Sequence, residues 1–133
     1  MTSEELEKKV KDNLEYLDSI FDELREPSAE DIDRIIGHGM ILSSVSGLLS
    51  KTLVDANRLL KMKELYFMNT NQGLWNSPTI LKKLMESNLS EHHSYVLLAD
   101  RYLAACVHKM DFYRSILSKH KEELKMNSTF NQR

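Results

Sequence analysis

The stretch Ala99–Leu124, ADRYLAACVHKMDFYRSILSKHKEEL, decides the fold. Its apolar positions are Ala99, Leu103, Cys106, Met110, Tyr113, Leu117 and Leu124, with His120 in register, and the spacing alternates four and three. This is the heptad rhythm of a helix with one apolar seam. The pattern predicts a helix from about Glu91 to Met126, its seam serving as core or as oligomer interface. The tail Asn127–Arg133 is polar and expected to fray.

Upstream, Ser77 followed by Pro78 is a helix start, because proline at the first helical position lacks only an N–H that would be unbonded anyway. A short helix is expected over Pro78–Glu86, with a kink or fresh cap at Asn88–Ser90. Asn69–Ser77, NTNQGLWNS, reads as a turn. Before it lies a long second helix, expected from about Ala29 to Met68 with Ser28 as its cap. One stripe on it is Ile35, Leu42, Leu49 and Ala56; a neighbouring stripe is Val45, Thr52, Leu59 and Tyr66. The sevenfold spacing is the supercoiling period. Gly37, Gly39 and Gly47 interrupt it, each costing about 1 kcal/mol relative to alanine. They imply either a break near Gly37–Gly39 or, the favoured reading, a close approach by another helix.

Thr2 and Glu5 form a capping box for a first helix over Ser3–Arg25, which Pro27 stops. Leu6, Val10, Leu17, Ile20 and Leu24, with Asn13, form its seam. No segment has strand periodicity. The expected fold is therefore all-α, one domain over residues 1–133. It comprises an acidic amphipathic helix over 1–26, an antiparallel long-helix hairpin or bundle with coiled-coil-like seams over 28–126, and a flexible tail over 127–133. The second helix packs on the fourth, the third bridges them, and the first lies across or outside. Apolar surface left uncovered by two long helices argues for a homo-oligomer.

The net charge of −2 is unevenly placed. Residues 1–34 carry 12 Asp/Glu against 5 Lys/Arg, a net −7; the remainder carries 8 against 13, a net +5. A single cysteine, Cys106, excludes an intramolecular disulfide. Met1 precedes an acidic stretch rather than a basic and then apolar one, so no signal peptide is expected. The longest uncharged run, Ile35–Ser50, is too short and polar for a membrane span. A cytoplasmic protein with no membrane partner is expected.

Enzymatic motifs are not evident. There is no phosphate-binding glycine loop, and no carboxylate pair stands on an apolar wall. His108 and Asp111 form a helical pair of metal-ligand types at a spacing of three, and one such pair is too few for a site. Cys106 and His120 read as core or interface residues. No catalytic residue, metal or cofactor is expected.

The segment Arg58–Phe67, RLLKMKELYF, stands apart. Arg58, Lys61 and Lys63 precede Tyr66 and Phe67, and cations beside aromatics suit sequence-tolerant binding of a single strand. The alternative is a solvated face with Tyr66 and Phe67 in the core. At this segment the chain resembles the phage-type recombination mediators, the UvsY-like proteins, over roughly residues 40–124. Leu60–Phe67 is similar to a family stretch of Leu, Lys, any residue, a basic residue and then two aromatics before a loop. The resemblance implies a multimer that binds single-stranded DNA and helps a RecA-like recombinase displace single-strand-binding protein, in a bacterial or phage-infected cell. The family's basic pair carries over onto Lys61 and Lys63; Arg58 and Tyr66 join them by proximity. Lys at the second position supplies charge but not a bidentate phosphate contact. The other reading from the residues is a small phage or mobile-element adaptor or inhibitor that engages a host protein through its acidic first helix.

Overall fold

The structure, a computed structural model, describes residues 1–24 and 31–131, with Phe130 and Asn131 as backbone alone. Four α-helices account for nearly all of it: α1 (Ser3–Glu23), α2 (Ile32–Thr70), α3 (Pro78–Asn88) and α4 (Ser90–Asn131). Among the described residues there is no strand.

Local chemistry sets the helix boundaries. The Thr2 hydroxyl accepts from the Glu5 N–H, and the Glu5 carboxylate accepts from the Thr2 N–H, both at 3.2 Å. This closes the expected capping box. The Asp31 carboxylate caps α2 by accepting from the Arg34 N–H. The expected cap Ser28, the start at Ala29 and the stop at Pro27 lie outside the described residues. α2 runs two residues past Met68 into a 3₁₀ turn at Gln72–Leu74. There the Trp75 indole N–H donates to the Met68 carbonyl at 3.0 Å and fastens the turn to the helix end. Pro78 opens α3 as expected, although the Ser77 side chain makes no capping bond. α3 continues to Asn88, and buried Leu89 alone separates it from α4. Of the tail 127–133, residues 127–131 continue α4, and 132 and 133 lie outside the described residues.

α2 and α4 pack antiparallel. Ile35 and Leu42 meet Cys106 and Tyr113 in one cluster, while Ala56 and Leu59 meet Ala99 in another toward the opposite end. α1 is neither across nor outside this pair. Leu6, Val10 and Leu14 enter the cluster of Ala56, Leu59 and Ala99, and Leu17 and Leu24 enter that of Ile35 and Leu42. The molecule is a three-helix bundle with α1 antiparallel to α2 and parallel to α4. The α1 seam uses Leu14, where the sequence pattern pointed to Asn13; Asn13 is half-buried. Each fully buried aliphatic side chain contributes roughly 1.5–3 kcal/mol. Several along one stripe are what dock a 21-residue helix that would be marginal alone.

The glycines of α2 break nothing, for the helix is continuous through all three. Nor, among the described residues, does another helix approach them closely: a Cβ added at Gly37, Gly39 or Gly47 would meet nothing within 4 Å. Among the described residues neither sequence expectation for these positions is met. Gly37 and Gly39 are half-buried, Gly39 beside the hollow that α2 shares with α4, and Gly47 is exposed.

Candidate nucleic-acid interface

Burial along α2 ends at Leu59. No other helix covers the turns beyond it as α1 and α4 cover the earlier ones, so Leu60–Thr70 are all partly or fully exposed. Arg58, Lys61, Lys63 and Tyr66 therefore sit where the helix leaves the bundle. Tyr66 is 70% exposed, and Phe67 is half-buried. The neighbouring-stripe reading of Tyr66 as a core residue is thus corrected. The heptad stripe continues through it, but nothing packs on that part of the stripe.

The four residues do not form one cluster. Positions two apart on an α-helix differ by about 200° around the axis, so Lys61 and Lys63 point about 160° apart. Lys61 shares a side with Arg58 and with exposed Leu65; Lys63 shares one with Tyr66. A shallow cleft beside Lys61 is lined by Asn57, Leu60 and Glu64, which sets a carboxylate close to that cation. Lys61 is exposed and Lys63 half-buried.

Trp75 belongs to this end of the molecule and was missed in the sequence. It is 49% exposed, and its indole N–H bond to Met68 fixes its position. A lone tryptophan inside a polar turn was the available signal. α3 follows directly and adds exposed Lys82 and Lys83.

The acidic helix α1 is held by polar contacts as well as by its seam. Glu7 bonds the His92 ring at 2.8 Å, Lys9 lies 3.4 Å from Asp55, and Lys11 reaches Glu91 at 3.8 Å. The Tyr102 hydroxyl donates to Asp18, and its ring stacks on Phe21 with centroids 5.1 Å apart. Burial and the Asp18 carboxylate push the Tyr102 hydroxyl up to about 12. Tyr95 is raised in the same way, by burial and by its bond to Glu91. Glu4, Asp12, Glu15 and Asp22 remain exposed on the outer side of α1.

The α4 seam is mainly core. Ala99, Cys106 and Tyr113 are buried, and Leu103, Met110 and Leu117 pack against the core while partly exposed. Leu124 is 56% exposed. It departs from the expected seam because α4 runs beyond the start of α2, and Lys121–Thr129 are all exposed. Burial raises the Cys106 thiol above its ordinary range. His38 is buried beside Tyr113; desolvation, Arg34 and Lys109 hold its ring below the ordinary value of 6.5, against an opposing effect of Asp31.

Among the described residues no helix is long and apolar enough to cross a membrane, and no three His, Cys, Asp or Glu side chains are grouped as metal ligands would be. Comparison with protein-family models, with curated proteins and with solved structures finds no match to this chain. The class that stands defined is the all-α bundle.

Proposed function

We propose that this chain is a non-enzymatic, single-stranded DNA-binding accessory protein that acts as a multimer and helps load a RecA-like recombinase. The observation that carries the reading is Tyr66. It is a large aromatic left 70% exposed on a helix end that leaves the bundle, beside Lys63 and on the side of the molecule where Trp75 is pinned in the turn. A ring without a packing role, next to a cation, suits base stacking with phosphate pairing. The separation of Lys61 from Lys63 changes the mechanism from a single patch to two. One strand segment meets Lys63 and Tyr66, and a second segment, or the strand as it passes a neighbouring subunit, meets Arg58 and Lys61. Many such weak contacts in one multimer add through effective concentration. Displacement of single-strand-binding protein and handover to the recombinase follow from the family resemblance.

The test is fluorescence anisotropy of labelled oligo-dT at low and moderate salt. Binding that weakens steeply with salt supports the reading. No binding at high protein concentration would turn attention to α1. A specific observation favours that second reading, an adaptor or inhibitor of a host protein. Glu4, Asp12, Glu15 and Asp22 stand outward on a helix that the bundle holds rigid, so the carboxylates form a fixed ridge.

A further inference from the structure

The outward face of α2 has a feature that the described residues do not explain. From Ile35 to Ser50 the helix carries no Asp, Glu, Lys or Arg on any side, in a chain that is 29% charged. Sixteen residues span about 24 Å of helix. On the side away from the core this segment exposes Ile36 at 44% and Met40 at 69%, with Ser43, Ser44 and Gly47 between and beyond them. Toward α4 the same face borders an apolar hollow of about 290 Å³ that includes Ile36, Met40 and Met110. Apolar side chains are exposed elsewhere too, among them Ile80 and Leu84 on α3 and Leu97, Val107 and Phe112 on α4, but there they stand among charged residues such as Lys82, Lys83, Asp100, Arg101 and Asp111.

The charges at the two ends of this segment identify what covers it. Lys51 directly follows it and Asp33 lies two positions before it, with Arg34 between them turned about 100° round the helix from Asp33; all three are exposed. Asp33 and Lys51 are eighteen residues apart, which is five helical turns, so they project on the same side as Met40 and Gly47. Neither forms an ion pair among the described residues. Turned end for end on itself, this face brings opposite charges together at both ends. A parallel arrangement brings like charges together.

We propose that two copies of the chain pair through the outward face of α2. The helices run antiparallel about a two-fold axis at the level of Leu42, and Asp33 of each copy meets Lys51 of the other. Met40 lies near the middle of the contact, against the small side chains of the opposite helix. The contact is isologous, as two-fold pairing requires. A single-helix contact falls at the low end of specific interfaces, below about 1,200 Å² in total, so the dimer is reversible. This inference deepens the multimer part of the functional reading without requiring DNA. Mass and DNA binding are read separately, so either can fail while the other stands.

The experiment is sedimentation equilibrium of the full chain from low micromolar to near-millimolar concentration. The mass is expected to rise from 15.5 kDa toward twice that value. Met40→Glu is expected to hold the chain at the monomer mass. Asp33→Lys and Lys51→Asp are each expected to weaken pairing by about tenfold or more, since like charges then face each other. The double swap Asp33→Lys with Lys51→Asp restores it. Circular dichroism checks that each variant folds, and all three sites are solvent-facing. A wild-type chain that stays monomeric throughout overturns the proposal and leaves the face to another protein. An assembly indifferent to Met40→Glu, or a double swap that fails to restore pairing, overturns it as well.

Discussion

Leu17→Ala tests whether α1 is a full member of the bundle or an arm laid on it. Leu17 has no exposed surface, and it shares a cluster with Leu24, Ile35, Leu42, Leu49 and Cys106, so it is enclosed by α2 and α4 together. Truncation removes the buried isopropyl end of the side chain and leaves a hole that three helices must close at once. Such changes cost about 2–5 kcal/mol, depending on how far the site collapses. With α1 braced by Glu7–His92 at one end and Asp18–Tyr102 nearer the other, collapse is restricted, and a loss of about 3 kcal/mol is expected. In urea, with a slope of about 2 kcal/mol per molar, the midpoint falls by about 1.5 M with the slope unchanged. The assay is helical circular dichroism against urea at one fixed protein concentration, because self-association couples to stability. Leu124→Ala is the control. Leu124 is 56% exposed, and its removal is expected to cost less than about 0.5 kcal/mol. A Leu17→Ala midpoint within about 0.3 M of wild type would refute the placement of α1, as would equal effects of the two variants.

Lys61→Ala and Lys63→Ala are each expected to reduce the salt dependence of oligo-dT binding by about 0.7 in logarithmic slope, and together by about 1.4, because they lie on opposite sides of α2. A double variant no worse than either single one would mean a shared contact and contradict that geometry. For His38, burial with Arg34 and Lys109 nearby favours the neutral ring in the folded state. The stability that neutral His38 permits is present above its ordinary value of 6.5 and is lost as pH falls from there through the lower folded-state value. His38→Gln, which cannot titrate, should therefore lose less melting temperature between neutral and mildly acid pH than wild type; an equal loss would remove His38 as the cause. Cys106, 1% exposed and with its thiol raised, should react with a thiol reagent far more slowly in the native protein than in urea. Rapid labelling of the native chain would show that the α2–α4 contact opens.

The sequence by itself determined the class of fold and most of its boundaries. Helix starts depend on bonds between residues three apart, such as Thr2 with Glu5, or on the ring of Pro78, so they are legible locally. The four–three rhythm through Cys106 and Tyr113 likewise follows from helix geometry and marks the inward side of α4. The angular separation of Lys61 and Lys63 was legible too, since a spacing of two sets it. Adjacency in the chain had made them look like a pair.

Tertiary structure alone decided where those stripes end. Tyr66 and Leu124 continue their heptads, yet both are exposed, because burial needs a partner helix at the same level and the bundle is shorter than α2 and α4. It also decided that α1 fills the third position. That depends on the combined shape of two other helices, to which no spacing within residues 1–26 refers. The glycines of α2 belong to the same group. Periodicity placed them in a long helix, but only the packed chain shows that none of the described residues lies against the side on which a Cβ would stand. What a side chain is near is a property of the whole fold, whereas what helix it can join is a property of its few neighbours.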